Sequence, residues 1–264
     1  MSYGKESKKI LEELPNRFKS TLNIVTAVSV TEIYTYSAAL SQTVEEEVVV
    51  TLNNAKNEWD PANMYCDYYF IRQAQSFPDV LLKNTKENNP LTGIELKTWY
   101  LLAKEEEPSF RYKVTPAACA VQDLLVVVPW VLSNVFTGSP IIFRPFIISA
   151  KYAAEYRNYW WKYLRDTSED TGISSPDNVK PYPSSRQKID DEPNHDPGNN
   201  FGRLARTEIM DKWVEECKKK RLLGIEIKKW IEFLKTNRAK NQGPSVNSSI
   251  DMMFNGKGCR EAPA

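Results

Sequence analysis

Residues 1–60 carry apolar positions at helical steps. Within TEIYTYSAALSQTVEEEVVVTLNNAKNEWDP, Ile33, Leu40, Val44, Val48, Leu52 and Ala55 recur at intervals of three, four and seven, which gathers them on one helix face. The WDP at 59–61 predicts the stop, because a proline disfavours helical geometry in the residue before it. From about 62 to 145 the texture turns to strands. YCDYYFIRQAQSFPDVLLK holds short aromatic and β-branched runs, and GIELKTWYLL follows the turn-like ENNPLT. QDLLVVVPWVL is apolar without alternation, as suits a strand covered on both faces. PIIFRPFI predicts another strand and SAKYAAEYRNYWWKYLR, 149–165, a helix.

This order of helix, strands, helix and strand predicts an α/β fold with a central sheet between helices over residues 1–165. Residues 166–202 are rich in Ser, Pro, Asp and Asn and nearly without large apolar side chains, which predicts a long loop or a linker. A helical pair follows over 203–238, TEIMDKWVEECKKKR and IEIKKWIEFLKTN, joined at Gly224, and 239–264 reads as a flexible tail. The chain shows no internal repeat.

Composition narrows the chemistry. Of 264 residues, 35 are Lys or Arg and 34 Asp or Glu, so net charge argues neither for nor against a polyanionic partner. One histidine, His195 in DDEPNHDPGNN, argues against a Ser-His-Asp triad, a Cys-His dyad or a multi-histidine metal site. Cys66, Cys119, Cys217 and Cys259 are widely spaced with no CxxC, which points to a reduced, cytoplasmic setting. The N-terminal stretch lacks a signal-peptide core, and the longest apolar run, 124–132, is too short to span a bilayer. Neither GxxxxGK[ST] nor GxGxxG occurs, so no nucleotide cofactor is expected.

One constellation carries chemistry. Pro78-Asp79 lies in SFPDVLL, and Glu95 and Lys97 lie in GIELKTW. On a strand, residues two apart point to the same side, roughly 7 Å from each other; Ile94 and Leu96 then enter the core. If Asp79 opens the neighbouring strand, its carboxylate meets Glu95. Two carboxylates and an ammonium at one point suit a hard divalent cation such as Mg²⁺, which takes one or two carboxylates and keeps several waters. Such an ion activates water and neutralises charge growing on a phosphate. Two look-alikes are set apart by context. Pro176-Asp177 lies in the loop, and in GIEIKKW, 224–230, the helical spacing of Ile227, Trp230, Ile231 and Leu234 predicts that Glu226 and Lys228 sit on different sides of a helix.

These residues resemble the PD-(D/E)XK nuclease superfamily, particularly type II restriction endonucleases. The resemblance rests on Pro78-Asp79, Glu95, Lys97 and the element order from about 33 to 165, and does not extend to the C-terminal hundred residues. It implies that the sheet is mixed, that Asp79, Glu95 and the Leu96 carbonyl ligate the metal, and that Lys97 is the catalytic lysine. The family often adds an acidic residue on the preceding helix. In VEEEVV, Glu45 falls roughly 60° from the centre of the buried stripe, Glu47 about 100° and Glu46 nearly opposite. Glu45 is therefore the candidate, and a solvated charge run is the alternative on the same residues.

Arg111 and Lys113 in PSFRYKVTP, Arg144 in FRPF, and Arg157, Lys162 and Arg165 amid Tyr159, Trp160 and Trp161 form basic–aromatic clusters suited to phosphates or bases. Core aromatics with a solvated basic margin give the same pattern. The expected function is a Mg²⁺-dependent restriction endonuclease cutting double-stranded DNA at a specific sequence. Cutting both strands of a symmetric site favours a homodimer. The rivals are a structure-selective repair, recombination or mobile-element nuclease and a non-catalytic DNA-binding protein on the same fold.

Overall fold

The computed structural model describes residues 3–18, 24–25, 30–73, 75–135 and 137–237. The expected tail, 239–264, lies outside them. The fold is mixed α/β, a mixed sheet flanked by helices with a C-terminal helical part.

Helix α1 (Tyr3–Glu12) precedes α2 (Val30–Asn54), whose Leu40, Val44, Val48 and Leu52 are buried along one stripe. The helical spacing of these residues is what lets α2 lie flat on the sheet. Asn54 ends it, and one further turn, Lys56–Trp59, runs to the proline. The Trp59 indole there is fully buried and donates to the Leu52 carbonyl at 2.9 Å.

The sheet contains β1 (Tyr68–Arg72), β2 (Val80–Asn84), β3 (Pro90–Tyr100), β4 (Leu124–Leu132), β5 (Pro140–Ile142) and β6 (Phe146–Ser149). Strands β1, β2 and β3 form an antiparallel meander; β3 and β4 are parallel, with Ile94 opposite Leu124 and Lys97 opposite Val127. The other side of β4 is shared by β6, along Leu124–Val127, and β5, along Trp130–Leu132. Pro129 sits between these two pairings, and its carbonyl accepts from the Phe143 N–H at 2.9 Å. Its missing N–H therefore falls where no antiparallel partner needs it. From β6 the chain enters α3 (Ala150–Tyr159), capped by Ser149 Oγ, and leaves through a wide π-type turn, Trp160–Leu164.

The polar stretch 166–202 is a loop that straps back onto the core. Ile189 O accepts from Thr115 N–H at 2.7 Å, the Asp191 N–H donates to Lys113 O at 2.8 Å, and Phe201 is buried against Trp161. Beyond it lie α4 (Asp211–Lys218) and α5 (Ile227–Asn237), separated by a short antiparallel pair, Arg221–Leu222 with Ile225–Glu226. Gly224, at φ 78°, turns that pair, a conformation that favours glycine. Glu226 thus precedes the helix that its neighbours' spacing suggested. Val214, Cys217, Ile227, Ile231 and Leu234 join the core that holds the sheet.

Candidate functional site

The register of β2 on β3 builds the site. Val80 stands opposite Ile94, so Asp79, one residue earlier, comes level with Glu95. Asp79 Oδ2 accepts the Lys97 ammonium at 3.0 Å and the Leu96 N–H at 2.9 Å. Lys97 Nζ also lies 2.8 Å from Glu95 Oε1. The structure therefore brings Asp79, Glu95 and Lys97 together, on the side of β3 opposite the buried Leu96 side chain. A strand residue directs its N–H and C=O to the same edge. The Leu96 N–H already meets Asp79, so its carbonyl is turned to the site edge too.

The loop before Asp79 is fixed by neighbours that sequence patterns did not single out. The Gln73 N–H donates to the Asp79 carbonyl at 2.7 Å and its Nε2 to the Pro78 carbonyl at 2.8 Å. Pro78 lies on Gly93, where a Cβ would stand 2.3 Å from Pro78 Cγ. Asp123 Oδ1 accepts the Gly93 N–H at 2.7 Å and the Tyr182 hydroxyl at 3.0 Å, which ties the strap to this end of the sheet. Asp123 is 30 residues from Gly93 and 59 from Tyr182, whereas Gln73 is five from Pro78, and no local motif marks them.

Glu45 reaches inward from α2 as its helical angle predicts. Its side chain is 19% exposed, against 57% for Glu46. Arg72, at the end of β1, is 2.5 Å from Glu45 Oε2 and 3.3 Å from Glu46 Oε1. Burial raises the pKa of Glu45, Arg72 and Lys97 oppose that rise, and Asp79 adds to it.

The electrostatics of the central trio are uneven. Burial pushes the Glu95 carboxyl up to about 7; Lys97 opposes this, and Asp79 adds to it by charge. Burial disfavours the Lys97 ammonium, yet the Glu95 and Asp79 carboxylates outweigh it and hold the pKa above the ordinary lysine value. Three carboxylates face two cationic side chains, so the cluster has an unmet demand for positive charge. Asp79 and Glu95 both lie against one positive centre and fit a cation that needs only one or two carboxylates. Among the described residues, no three Asp, Glu, His or Cys side chains form a ready-made metal cage.

The expected DNA contacts fare differently. Arg157 is a correction: it is 1% exposed and paired with Asp191 at 2.5 Å, and it donates to the Tyr112 and Val114 carbonyls. Its guanidinium lies in the core over the Phe201 ring and is closed to a phosphate, although Tyr159 beside it is 52% exposed. Arg111 holds the strap, donating to Asp196 at 2.7 Å and to the Phe201 carbonyl at 3.1 Å. Lys113 is half-buried, and its backbone carries the strap through Asp191. Arg144 is 72% exposed, with Glu12 at 4.0 Å. Of these four, Arg144 is the one whose charge is largely open to solvent.

No family model matches the chain, and no curated protein is detectably similar to it in sequence. Among the described residues, no helix is long and apolar enough to cross a membrane.

Proposed function

We propose that the chain is a Mg²⁺-dependent endonuclease of the type II restriction type, hydrolysing phosphodiester bonds of double-stranded DNA at a specific sequence, in the cytoplasm and as a homodimer. The observation that supports it most is the convergence of Asp79, Glu95 and Lys97 at the fork where β2 leaves β3. Asp79 and Glu95 would hold the cation, with the Leu96 carbonyl at the same edge and Glu45 behind them. When bound, Mg²⁺ polarises a water and neutralises charge on the phosphate undergoing displacement.

The chain's own groups supply the rest. The side chains of Asp79 and Lys97 are 30% and 25% exposed, so a phosphate can approach them, while Glu95, at 10%, is shielded behind. Lys97 Nζ stays protonated and has a donor free to orient the attacking water or to meet the charge developing on a phosphate oxygen. The water oxygen bonds to phosphorus and gives up a proton to solvent, the bond from phosphorus to the 3′ oxygen breaks, and that oxygen takes a proton from solvent. The products are a 5′-phosphate and a 3′-hydroxyl.

The direct test is to incubate purified protein with unmodified phage DNA and Mg²⁺. Discrete fragments that vanish with EDTA are expected. A smear, or preferential cutting of branched substrates, would point to a structure-selective nuclease on this fold. Salt-sensitive binding with no cleavage at any Mg²⁺ concentration would overturn the enzymatic reading.

A further inference from the structure

We propose that Arg72 couples the two ligands of this site: Glu45 exchanges Arg72 for a divalent cation, and the freed guanidinium takes a nucleic-acid phosphate. This rests on the nuclease reading above and goes beyond it, since it assigns Arg72 a role that the motif does not contain.

Without ligands, each carboxylate already touches a cationic side chain. Lys97 lies between Asp79 and Glu95, and Arg72 lies between Glu45 and Glu46. A cation that recruits Glu45 must therefore compete with a side chain already seated on it. The two pairings differ in how firmly they are held. Lys97 contacts two carboxylates and one of these, Glu95, is 10% exposed; Arg72 is 33% exposed, and its second partner, Glu46, is 57% exposed. The Glu46 contact is a surface pair that contributes little, which leaves Arg72 held mainly by Glu45 and the more readily displaced of the two cations.

Position decides what the freed side chain can do. Arg72 is the last residue of β1, directly opposite Val80 and so beside Asp79. The register directs its side chain to the Val80 face, where it meets Glu45 of α2, and Glu45 in turn lies near enough to Asp79 and Lys97 for the charges to be felt. A phosphate held next to Asp79 would find a planar, five-donor fork within reach, the group best suited to bidentate phosphate contacts. Cation and phosphate then help each other, because each removes a competitor of the other, and linkage makes the factor the same in both directions.

The experiment measures binding rather than cleavage. Calorimetry gives the Ca²⁺ affinity of the protein with and without a short duplex of random sequence. Fluorescence anisotropy gives the duplex affinity with and without Ca²⁺. In the parent, each ligand should raise the affinity of the other by roughly five-fold or more. In Arg72→Gln, Ca²⁺ alone should bind at least as tightly, while the coupling factor falls to near one; Arg72→Lys should keep part of it. Circular dichroism and a thermal melt establish that each variant is folded. Unchanged coupling in Arg72→Gln, or weaker Ca²⁺ binding in that variant without DNA, would overturn the proposal and leave the nuclease reading intact. A parent that binds no Ca²⁺, or an Asp79→Asn variant that binds it equally well, would sink both.

Discussion

A carboxylate on a side chain 10% exposed, as in Glu95, carries a desolvation penalty of several kcal/mol unless charged partners offset it. Lys97 at 2.8 Å and the Asp79 backbone N–H do so in part, and the balance leaves its pKa at about 7 rather than 4.5. A raised acid pKa contributes stability that is complete below pH 4.5 and is lost as pH rises through 7, since ionising the buried group then costs folding free energy. A bound divalent cation takes the proton's place. Mn²⁺ affinity measured by calorimetry should therefore rise by about ten-fold per pH unit between those limits and level off above pH 7. Glu95→Gln should abolish that dependence along with most of the affinity. A flat profile in the parent would contradict the assignment of Glu95 as a ligand.

At the scale of elements, the site exists because two strands keep register up to Val80 and Ile94 and then part. Gly93 sets that geometry, since the Pro78 ring occupies the place of its missing side chain. In Gly93→Ala the new methyl must push Pro78, and with it Asp79, off the strand. Overpacking of this kind costs about 1–3 kcal/mol, which a urea melt would read. The cleavage rate of the folded variant should fall further than the stability loss explains.

Much of this arrangement was legible in the chain. Period-two alternation marked β3 and its Glu95–Lys97 pair, the continuous apolar run marked β4, and the helical stripe on α2 ranked Glu45 above Glu46. Those signals are local, so a window of ten residues contains them. Arg72 and Asp123 escaped because their partners come from other elements, fixed only when strands pair. The burial of Arg157 is hidden from the sequence for a related reason. Of the run Tyr159, Trp160 and Trp161 only Trp161 is buried, so the run does not tell which basic neighbour goes in, and Asp191, the countercharge of Arg157, lies in the strap.

For the molecule as a whole, that pair fastens the loop 166–202 to α3. Both side chains are essentially without solvent contact, at 1% and 0% exposure. Removing one partner leaves the other charged and buried, so Arg157→Ala should cost about 3–5 kcal/mol. Protease should then nick the strap near Arg186 faster than in the parent. The salt slope of DNA binding should be unchanged in whatever fraction remains folded, because Arg157 neutralises no phosphate. Arg144→Ala should do the reverse, leaving the melt within about 0.5 kcal/mol and reducing the salt slope by about 1. Equal slopes for Arg144→Ala and the parent would remove Arg144 from the DNA-facing surface.

The central claim is that Asp79, Glu95 and Lys97 act together on a phosphodiester. Its most direct test is the single-turnover cleavage rate, at saturating Mg²⁺ and on matched folded protein, of Asp79→Asn, Lys97→Ala and the solvent-facing control Glu232→Ala. The first two should be slower than the parent by at least about a hundred-fold, and the control within a few-fold of it. Asp79→Asn or Lys97→Ala cutting as fast as the parent would contradict the account, whatever nuclease activity the protein retained.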